Sequence, residues 1–265
     1  MLFKPMNGLF KETLTGIKWG AWCLISLFIS VLSGVLVAFQ YDPATPLYSA
    51  SSLDVLVPFG DYFRALHFYS SQLFFLLSII HFGVSYNKSD SYSRAQWIRL
   101  TATLPVGLLL LFSGYVLRGD STGSSAGLIA ENIILAIPAV GTSLNKLLFS
   151  ISDDGMKRIY VNHMIGFGLV WGLLAWDHLR KYRTSFRQHI LLTALILFVC
   201  LLLPAPFEPE QLGLLHINGP WFFLGLQELL RYLPSLLAGV IFPATLILAL
   251  FLLQRQNRYC SRVLT

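Results

Sequence analysis

Six apolar runs constrain what this chain can fold into, because each has a length that suits a membrane-spanning helix. They cover residues 18–39, 62–86, 97–117, 159–180, 188–204 and 235–254, and the fifth is the shortest. A helix needs about 20 apolar residues to cross the hydrocarbon core of a bilayer. Only 12% of the residues are charged, which is well below the share of about 25% in soluble domains. The sequence therefore predicts an all-α integral membrane protein with six spans.

Two long segments between these runs are predicted to be loops with short helices. Residues 118–157 carry Gly, Ser and Pro breaks around two short amphipathic pieces, 126–137 and 142–150. Amphipathic helices of this kind lie in the plane of the membrane surface. Residues 205–234 hold a proline-rich stretch and then a short aromatic helix from Trp221 to Tyr232.

Charge asymmetry gives the six spans an orientation. If the N-terminus faces the cytoplasm, 13 of the 19 basic residues but only three of the 13 acidic residues fall on the cytoplasmic side. Because Lys and Arg accumulate in cytoplasmic loops, we predict that the N-terminus and the C-terminus are both cytoplasmic. The basic residues form no single patch, which argues against nucleic acid as a partner.

Four of the six histidines lie inside the second and fourth runs, where ionisable groups are costly and usually functional. They are His67 and His81 on one predicted helix and His163 and His178 on the other. Their spacings of 14 and 15 residues correspond to a rise of roughly 21–22 Å along the helix. The two histidines of each helix are then offset around the helix axis by about 40° and 60°, and we expect helix tilt to absorb the larger offset. Both helices run inward, so His67 pairs with His163 near the outer face. His81 then pairs with His178 near the inner face.

Two stacked bis-histidine sites are typical of b-type haems. Bis-imidazole ligation closes both axial positions of a haem iron, which suits electron transfer rather than oxygen binding. The three cysteines form no CxxCH motif, so both haems are expected to be non-covalent. From the residues alone, two alternatives stay open. Any single histidine is more readily a hydrogen-bonded interior residue, and a metal other than haem also suits an imidazole pair.

Small and basic residues beside the histidines add to this pattern. Gly20 and Gly34 are 14 residues apart on the first run, and Gly114 lies on the third. Glycine lets helix backbones approach closely and would leave flat space for a haem. Arg64 and Arg158 precede the outer histidines by three and five residues. Each is predicted to pair with a haem propionate or, nearly as readily, to be an interfacial arginine.

The sequence resembles the cytochrome b family of quinol-oxidising bc-type complexes over nearly its whole length. The matching stretches are GVLVAFQYDP (34–43), RALHFYSSQLFFLLSIIH (64–81), FSGYVLRGD (112–120), AIPAVGTSLNKLL (136–148), RIYVNHMIGFGLVWGLLAWDHLRKYR (158–183) and GPWFFLGLQELLRYLP (219–234). The histidine spacing of 15 on the fourth helix is most similar to the plastid-type form, and the C-terminal part is shorter than in the longer members. The resemblance implies a four-helix di-haem bundle in residues 1–187. It implies a two-helix part with a PEWY-like segment in residues 188–265.

The resemblance also implies a function. The chain would be a di-haem subunit that transfers electrons between membrane quinol or quinone and partner redox subunits, as in a quinol:cytochrome c reductase-like complex. An iron–sulfur protein or c-type cytochromes would be the partners, and the complex would be a homodimer in an energy-transducing membrane, expected to be the bacterial cytoplasmic membrane. The alternative is a non-catalytic haem-containing anchor that relays electrons for peripheral oxidoreductase subunits.

The chain departs from the family pattern at the outer quinol site. Where the family has Glu before a Trp-Tyr pair, this chain has proline, followed by Trp221 and Phe222, which are the predicted substrate contacts. Glu228 is the predicted replacement proton acceptor or, equally, a surface partner of Arg231. His216 is a further predicted hydrogen-bonding group at this site.

Two more positions differ from the family. Arg118 and Gly119 stand where the family has Pro-Trp after the third helix, which alters the outer pocket. Lys18 occupies the position at which plastid-type relatives carry the cysteine that binds a covalent inner haem. We therefore predict no covalent haem.

Overall fold

Helices form all the regular structure in the ranges that the computed structural model describes, residues 16–151, 155–208 and 217–255. They are α1 Trp19–Ala38, α2 Pro46–Leu56, α3 Gly60–Ser85, α4 Arg94–Val116, α5 Ser121–Leu135, α6 Gly141–Leu148, α7 Gly155–Leu179, α8 Phe186–Leu202, α9 Leu224–Leu230 and α10 Leu237–Leu252. A short 3-10 helix, Tyr86–Ser91, follows α3. The prediction of an all-α fold is confirmed for these ranges.

Four of these helices, α1, α3, α4 and α7, are long and apolar enough to cross a membrane. They match the first four predicted runs. The helices of the fifth and sixth runs, α8 and α10, are apolar but shorter. That these two also cross the bilayer stays a prediction, as does the cytoplasmic position of both termini.

The four long helices pack as two pairs, α1 along α3 and α4 along α7. Small residues are buried on α1 and α3, including Ser30, Ser33 and Ser70, and small side chains favour close approach of helices. The hydroxyl of Ser33 donates to the carbonyl of Ile29 at 2.7 Å. The hydroxyl of Ser70 donates in the same way within its own helix. These bonds satisfy the buried hydroxyls without a partner from another helix.

Short polar signals set the ends of the helices around the bundle. Ser93 and Gln96 form a capping box at the start of α4, which satisfies backbone donors that have no partner within the helix. The carboxylate of Asp120 accepts from the backbone N–H of Gly123 at 2.9 Å and caps α5. This cap starts α5 at residue 121, five residues before the predicted piece 126–137.

The aromatic segment near the C-terminus is less helical than predicted. Only Leu224–Leu230 forms α9, whereas a helix from Trp221 to Tyr232 was expected. The carbonyl of Pro220 accepts from the backbone N–H of Phe223 at 2.8 Å, so the residues after this proline form a turn before the helix begins.

A π turn interrupts α7 at Asn162–Gly166, next to His163. Within it, the backbone N–H of Phe167 bonds to the carbonyl of Asn162, five residues back. A π turn holds one residue more than an α turn, so the spacing of 15 between His163 and His178 acts as a spacing of 14. This turn, rather than the helix tilt proposed from the sequence, accommodates the longer spacing.

Two buried clusters join the bundle to the other elements. One cluster contains Phe112 and Val116 of α4 together with Phe149, Ile159 and Phe223. It packs α5, the end of α6 and the aromatic segment against the part of α4 and α7 that lies near His163. The other cluster includes Ile25, Leu66, Ile196 and Cys200. Because Ile196 and Cys200 belong to α8, the C-terminal part packs directly against α1 and α3.

Candidate functional site

The structure brings together the four histidines in the pairs expected from the sequence. The ring centroids of His67 and His163 are 6.1 Å apart with an interplanar angle of 86°. Those of His81 and His178 are also 6.1 Å apart, with an angle of 53°. A metal–imidazole nitrogen bond is about 2 Å long, so two rings that face each other across one metal have centroids about 6 Å apart. Both pairs therefore have a separation that suits two axial ligands of one metal.

Hydrogen bonds orient the two outer imidazoles. The Nδ1–H of His67 donates to the carbonyl of Ser30 at 2.8 Å. The Nδ1 of His163 lies 3.0 Å from the Oγ of Ser113, and that hydroxyl donates its hydrogen to the carbonyl of Leu109. Ser113 therefore accepts from His163. With Nδ1 protonated in both rings, each Nε2 presents a lone pair, which is the usual arrangement of a metal-bound histidine.

Three glycines make room for the imidazole rings. A Cβ atom at Gly34 would lie 2.7 Å from Nδ1 and Cε1 of His67. At Gly114 it would lie 2.9 Å from Cε1 of His163, and at Gly20 it would lie 3.2 Å from Cε1 of His81. These glycines were predicted to leave space for a haem, and in the structure they lie directly against the rings of the histidines.

The donor set of each pair favours haem over a protein-only metal site. Within residues 16–151, 155–208 and 217–255, no three His, Cys, Asp or Glu side chains gather where they could hold one metal ion. Structural and catalytic ions bound by the protein alone have three or four protein ligands. Two imidazoles alone would suit a haem, because its porphyrin would supply the remaining ligands of the iron. The residues present therefore fit a bis-histidine haem.

A cavity of about 520 Å³ surrounds the outer pair. Its volume lies within the range of about 300–1,000 Å³ that is usual for ligand and cofactor sites. Most of the lining comes from α1, α3, α4 and α7 and is apolar, and it includes Gly34, His67, Gly114 and His163. A smaller hollow of about 20 Å³ lies beside His178 of the inner pair, next to Arg99, Asp177 and Lys181.

The two arginines predicted to pair with propionates have different surroundings. Arg64 lines the cavity, and its guanidinium is paired with Asp54 and donates to the carbonyl of Ala205 at 2.9 Å. Arg158 is exposed and does not line the cavity. The structure therefore places Arg64, but not Arg158, beside the outer histidines.

The predicted quinol-site residues are divided between the cavity and the surface. Phe222 lines the cavity, and the indole N–H of Trp221 donates to the Oε1 of Gln72 at 2.8 Å. Glu228 is 55% exposed and pairs with Arg231 at 3.0 Å. Its carboxylate also accepts a hydrogen bond from Tyr232, which raises the pKa of that phenol. This arrangement corresponds to the surface alternative for Glu228, and His216 lies outside the described residues.

Several cavity residues were not singled out as ligand-binding from the sequence. Gln72, Tyr41 and Arg118 line the cavity. The hydroxyl of Tyr41 donates to the carbonyl of Leu117 at 2.7 Å, and desolvation by burial raises the pKa of this phenol. Arg118 could have been found, because an arginine in place of the family's proline was visible. Gln72 gave no signal in the sequence beyond its position five residues after His67.

Comparisons with known proteins agree with the resemblance that the motifs indicated. The family model described as cytochrome b/b6/petB matches residues 11–184. A cytochrome b of Bugula neritina is 23% identical over 280 residues, covering 91% of this chain and 76% of that protein. A chain of a solved structure described as hyperthermophilic respiratory Complex III has a TM-score of 0.70 and 22% identity. That match covers 89% of this chain and 74% of the other.

The match with the solved structure shows the shared fold, and the family match covers more than half of the 265 residues. The predicted membership is thereby confirmed. This chain belongs to the cytochrome b/b6/petB family, whose members are haem-containing membrane subunits of electron transfer.

Proposed function

We propose that this chain is the di-haem subunit of a quinol-linked oxidoreductase. His67 and His163 would hold the outer b-type haem, and His81 and His178 the inner one. The observation that carries this proposal is that both pairs have the same centroid separation of 6.1 Å, which suits two axial ligands. When bound, each haem supplies one-electron redox chemistry without an open position for oxygen.

In this proposal, the two sites lie at different depths in the membrane. Along α3, the 14 residues from His67 to His81 correspond to a rise of about 21 Å. With a haem bound at each site, electron transfer between these depths would move charge across part of the membrane potential, and a full crossing is worth about 2.3 kcal/mol per charge per 100 mV. The apolar helices exclude water, and the Nδ1 bonds hold each outer ring with its Nε2 free for the metal.

The aromatic segment supports a quinol or quinone as the electron source at the outer face. Phe222 lines the outer cavity, and the hydrogen bond from Trp221 to Gln72 holds the segment against α3. The partners would be an iron–sulfur protein or c-type cytochromes in a multi-subunit complex, with this chain as a homodimer. We place the complex in an energy-transducing membrane, the bacterial cytoplasmic membrane.

A non-catalytic relay is a second function, and the surroundings of the outer cavity favour it. Among the described residues that line this cavity, none is a carboxylate. Glu228 is paired on the surface, so the predicted proton acceptor lies away from the cavity. In this second function, the chain would anchor peripheral redox subunits and conduct their electrons.

Optical redox titration of the purified complex tests the di-haem proposal. We expect two α-band components with different midpoint potentials. His163→Ala should remove one component and His178→Ala the other, since each variant deletes one ligand of one pair. A complex without b-type absorbance, or loss of both components in a folded single variant, would contradict the assignment.

The Glu228→Gln variant separates quinol oxidation from relay. If Glu228 accepts a quinol proton, quinol-dependent reduction should slow and its pH profile should shift. If the chain acts as a relay, the rate and the profile should stay unchanged, because the substitution then removes only a surface ion pair. Arg231→Gln is the matched control, since it breaks the same pair but keeps the carboxylate.

A further inference from the structure

Arg118 is a buried cation at the edge of the outer cavity. It lies two residues after the end of α4, is only 9% exposed, and lines the same cavity as His67 and His163. Its Nε is buried and has no hydrogen-bond partner among the described residues. A buried polar group without a partner costs free energy, so the described residues leave part of the hydrogen-bonding capacity of this guanidinium unused.

The neighbours of Arg118 hold the guanidinium in place. One Nη atom pairs with the carboxylate of Asp120, and the guanidinium carbon lies 4.7 Å from the ring centroid of Tyr115. Both contacts limit the motion of a side chain that otherwise has many rotamers. Arg118 is therefore a fixed, desolvated positive charge.

Arg118 is not the only group that stabilises the carboxylate of Asp120. Its carboxylate accepts from the backbone N–H groups of Gly123 and Glu208, each at 2.9 Å, and from the hydroxyl of Thr122 at 3.2 Å. Several such bonds stabilise a buried carboxylate. Pairing with this aspartate therefore does not by itself explain why the positive charge of Arg118 is buried here.

Arg118 differs in this respect from the other arginines near the outer histidines. The Nε and one Nη of Arg64 both bond to Asp54. Arg158 is exposed and does not line the cavity. Of these three arginines, Arg118 combines burial, a place in the cavity wall and an Nε without a partner among the residues that the structure describes.

We propose that Arg118 binds a carboxylate of the cofactor in this cavity, a propionate of the outer haem, and thereby raises the midpoint potential of that haem. The proposal rests on the proposed ligation by His67 and His163. The planar guanidinium matches a carboxylate in geometry and charge. A fixed positive charge favours the reduced iron, which carries one positive charge less, and the effect is strong where water is excluded.

Redox titration of three single variants in the intact complex tests this role. Arg118→Gln should shift the redox equilibrium of the outer haem about tenfold toward the oxidised form, which is a fall of about 59 mV for one electron. The inner haem should keep its potential. Arg158→Gln removes an equal charge at an exposed position and should change neither haem. Asp120→Asn should raise the outer potential, because the cation then loses its counter-charge.

An unchanged outer potential in haem-loaded Arg118→Gln, or a fall in Asp120→Asn, would overturn the proposal. If Arg118→Gln does not assemble, Arg118→Met serves instead. It removes the same charge from a side chain of similar length, so it should lower the outer potential by a similar amount, and no change would again overturn the proposal. Failure of the di-haem assignment is distinct, since the unsubstituted complex would then lack two b-type components.

Discussion

The π turn in α7 can be tested by deleting a single residue. Fifteen α-helical residues turn through about 1,500°, which would carry His178 about 60° past His163. A π turn takes up one residue, so the effective rotation is about 1,400° and the offset becomes about 40° in the other sense. This is the offset between His67 and His81, and the two helices therefore present matched pairs.

Deletion of Ile165 removes a residue from the π turn itself. Ile165 is 55% exposed, so its loss costs little packing. We expect the turn to become α-helical, because 14 residues in α geometry give the same offset as 15 residues with a π turn. His178 should stay opposite His81, and both pairs should remain.

Deletion of Leu173 is the matched control on the same helix. Leu173 is 75% exposed and lies beyond the π turn, so the effective spacing falls by one residue and His178 rotates by about 100°. At a side-chain radius of about 5–6 Å, this rotation moves the ring by about 8–9 Å. The shift is larger than the centroid separation of 6.1 Å. The inner pair should therefore be lost.

Optical spectra of the two purified deletion variants distinguish these outcomes. Deletion of Ile165 should preserve both α-band components, whereas deletion of Leu173 should remove the inner one and keep the outer one. If the Ile165 deletion lost the inner component as well, in protein that still binds the outer haem, the π turn would not be what sets the register of His178.

Two further variants examine the surroundings of the outer site. Gly34→Ala places a Cβ 2.7 Å from the ring of His67, so it should destabilise the protein by about 1–3 kcal/mol and weaken the outer α-band. Gly83→Ala is the control, because its Cβ would meet open space and should leave both the stability and the α-band unchanged. Equal thermal unfolding temperatures of the two variants would refute the steric argument. Trp221→Phe removes the hydrogen bond to Gln72, worth about 0.5–1.5 kcal/mol. Amide exchange in residues 217–230 should become faster, and a double variant with Gln72→Ala should add little.

Much of the fold and part of the candidate site follow from local pattern. Hydropathy places α1, α3, α4 and α7 within a few residues, because the bilayer dictates the length and polarity of a spanning helix. The spacing of the histidines predicts the two pairs, since residues on one helix have a fixed rotation and rise. The glycines opposite them are also visible in the sequence, although their contact with the imidazole rings is not.

Other features depend on contacts between segments that are distant in the chain. Glu228 is suitable in its chemistry and its sequence position, yet its charge is matched by Arg231 on the surface. Arg158 is near His163 in sequence but exposed, whereas Arg118 reaches the cavity because α4 packs beside α7. Closeness in sequence does not by itself decide which side chain faces a cavity.

By itself, the sequence determined the spanning helices and the two histidine pairs, because both follow from the periodicity of a single helix and the thickness of a bilayer. Only the tertiary structure decided how the spacing of 15 is accommodated, and which arginines border the outer cavity. The π turn at Asn162–Gly166 and the burial of Arg118 against Asp120 and Tyr115 depend on packing between helices, which local pattern does not encode.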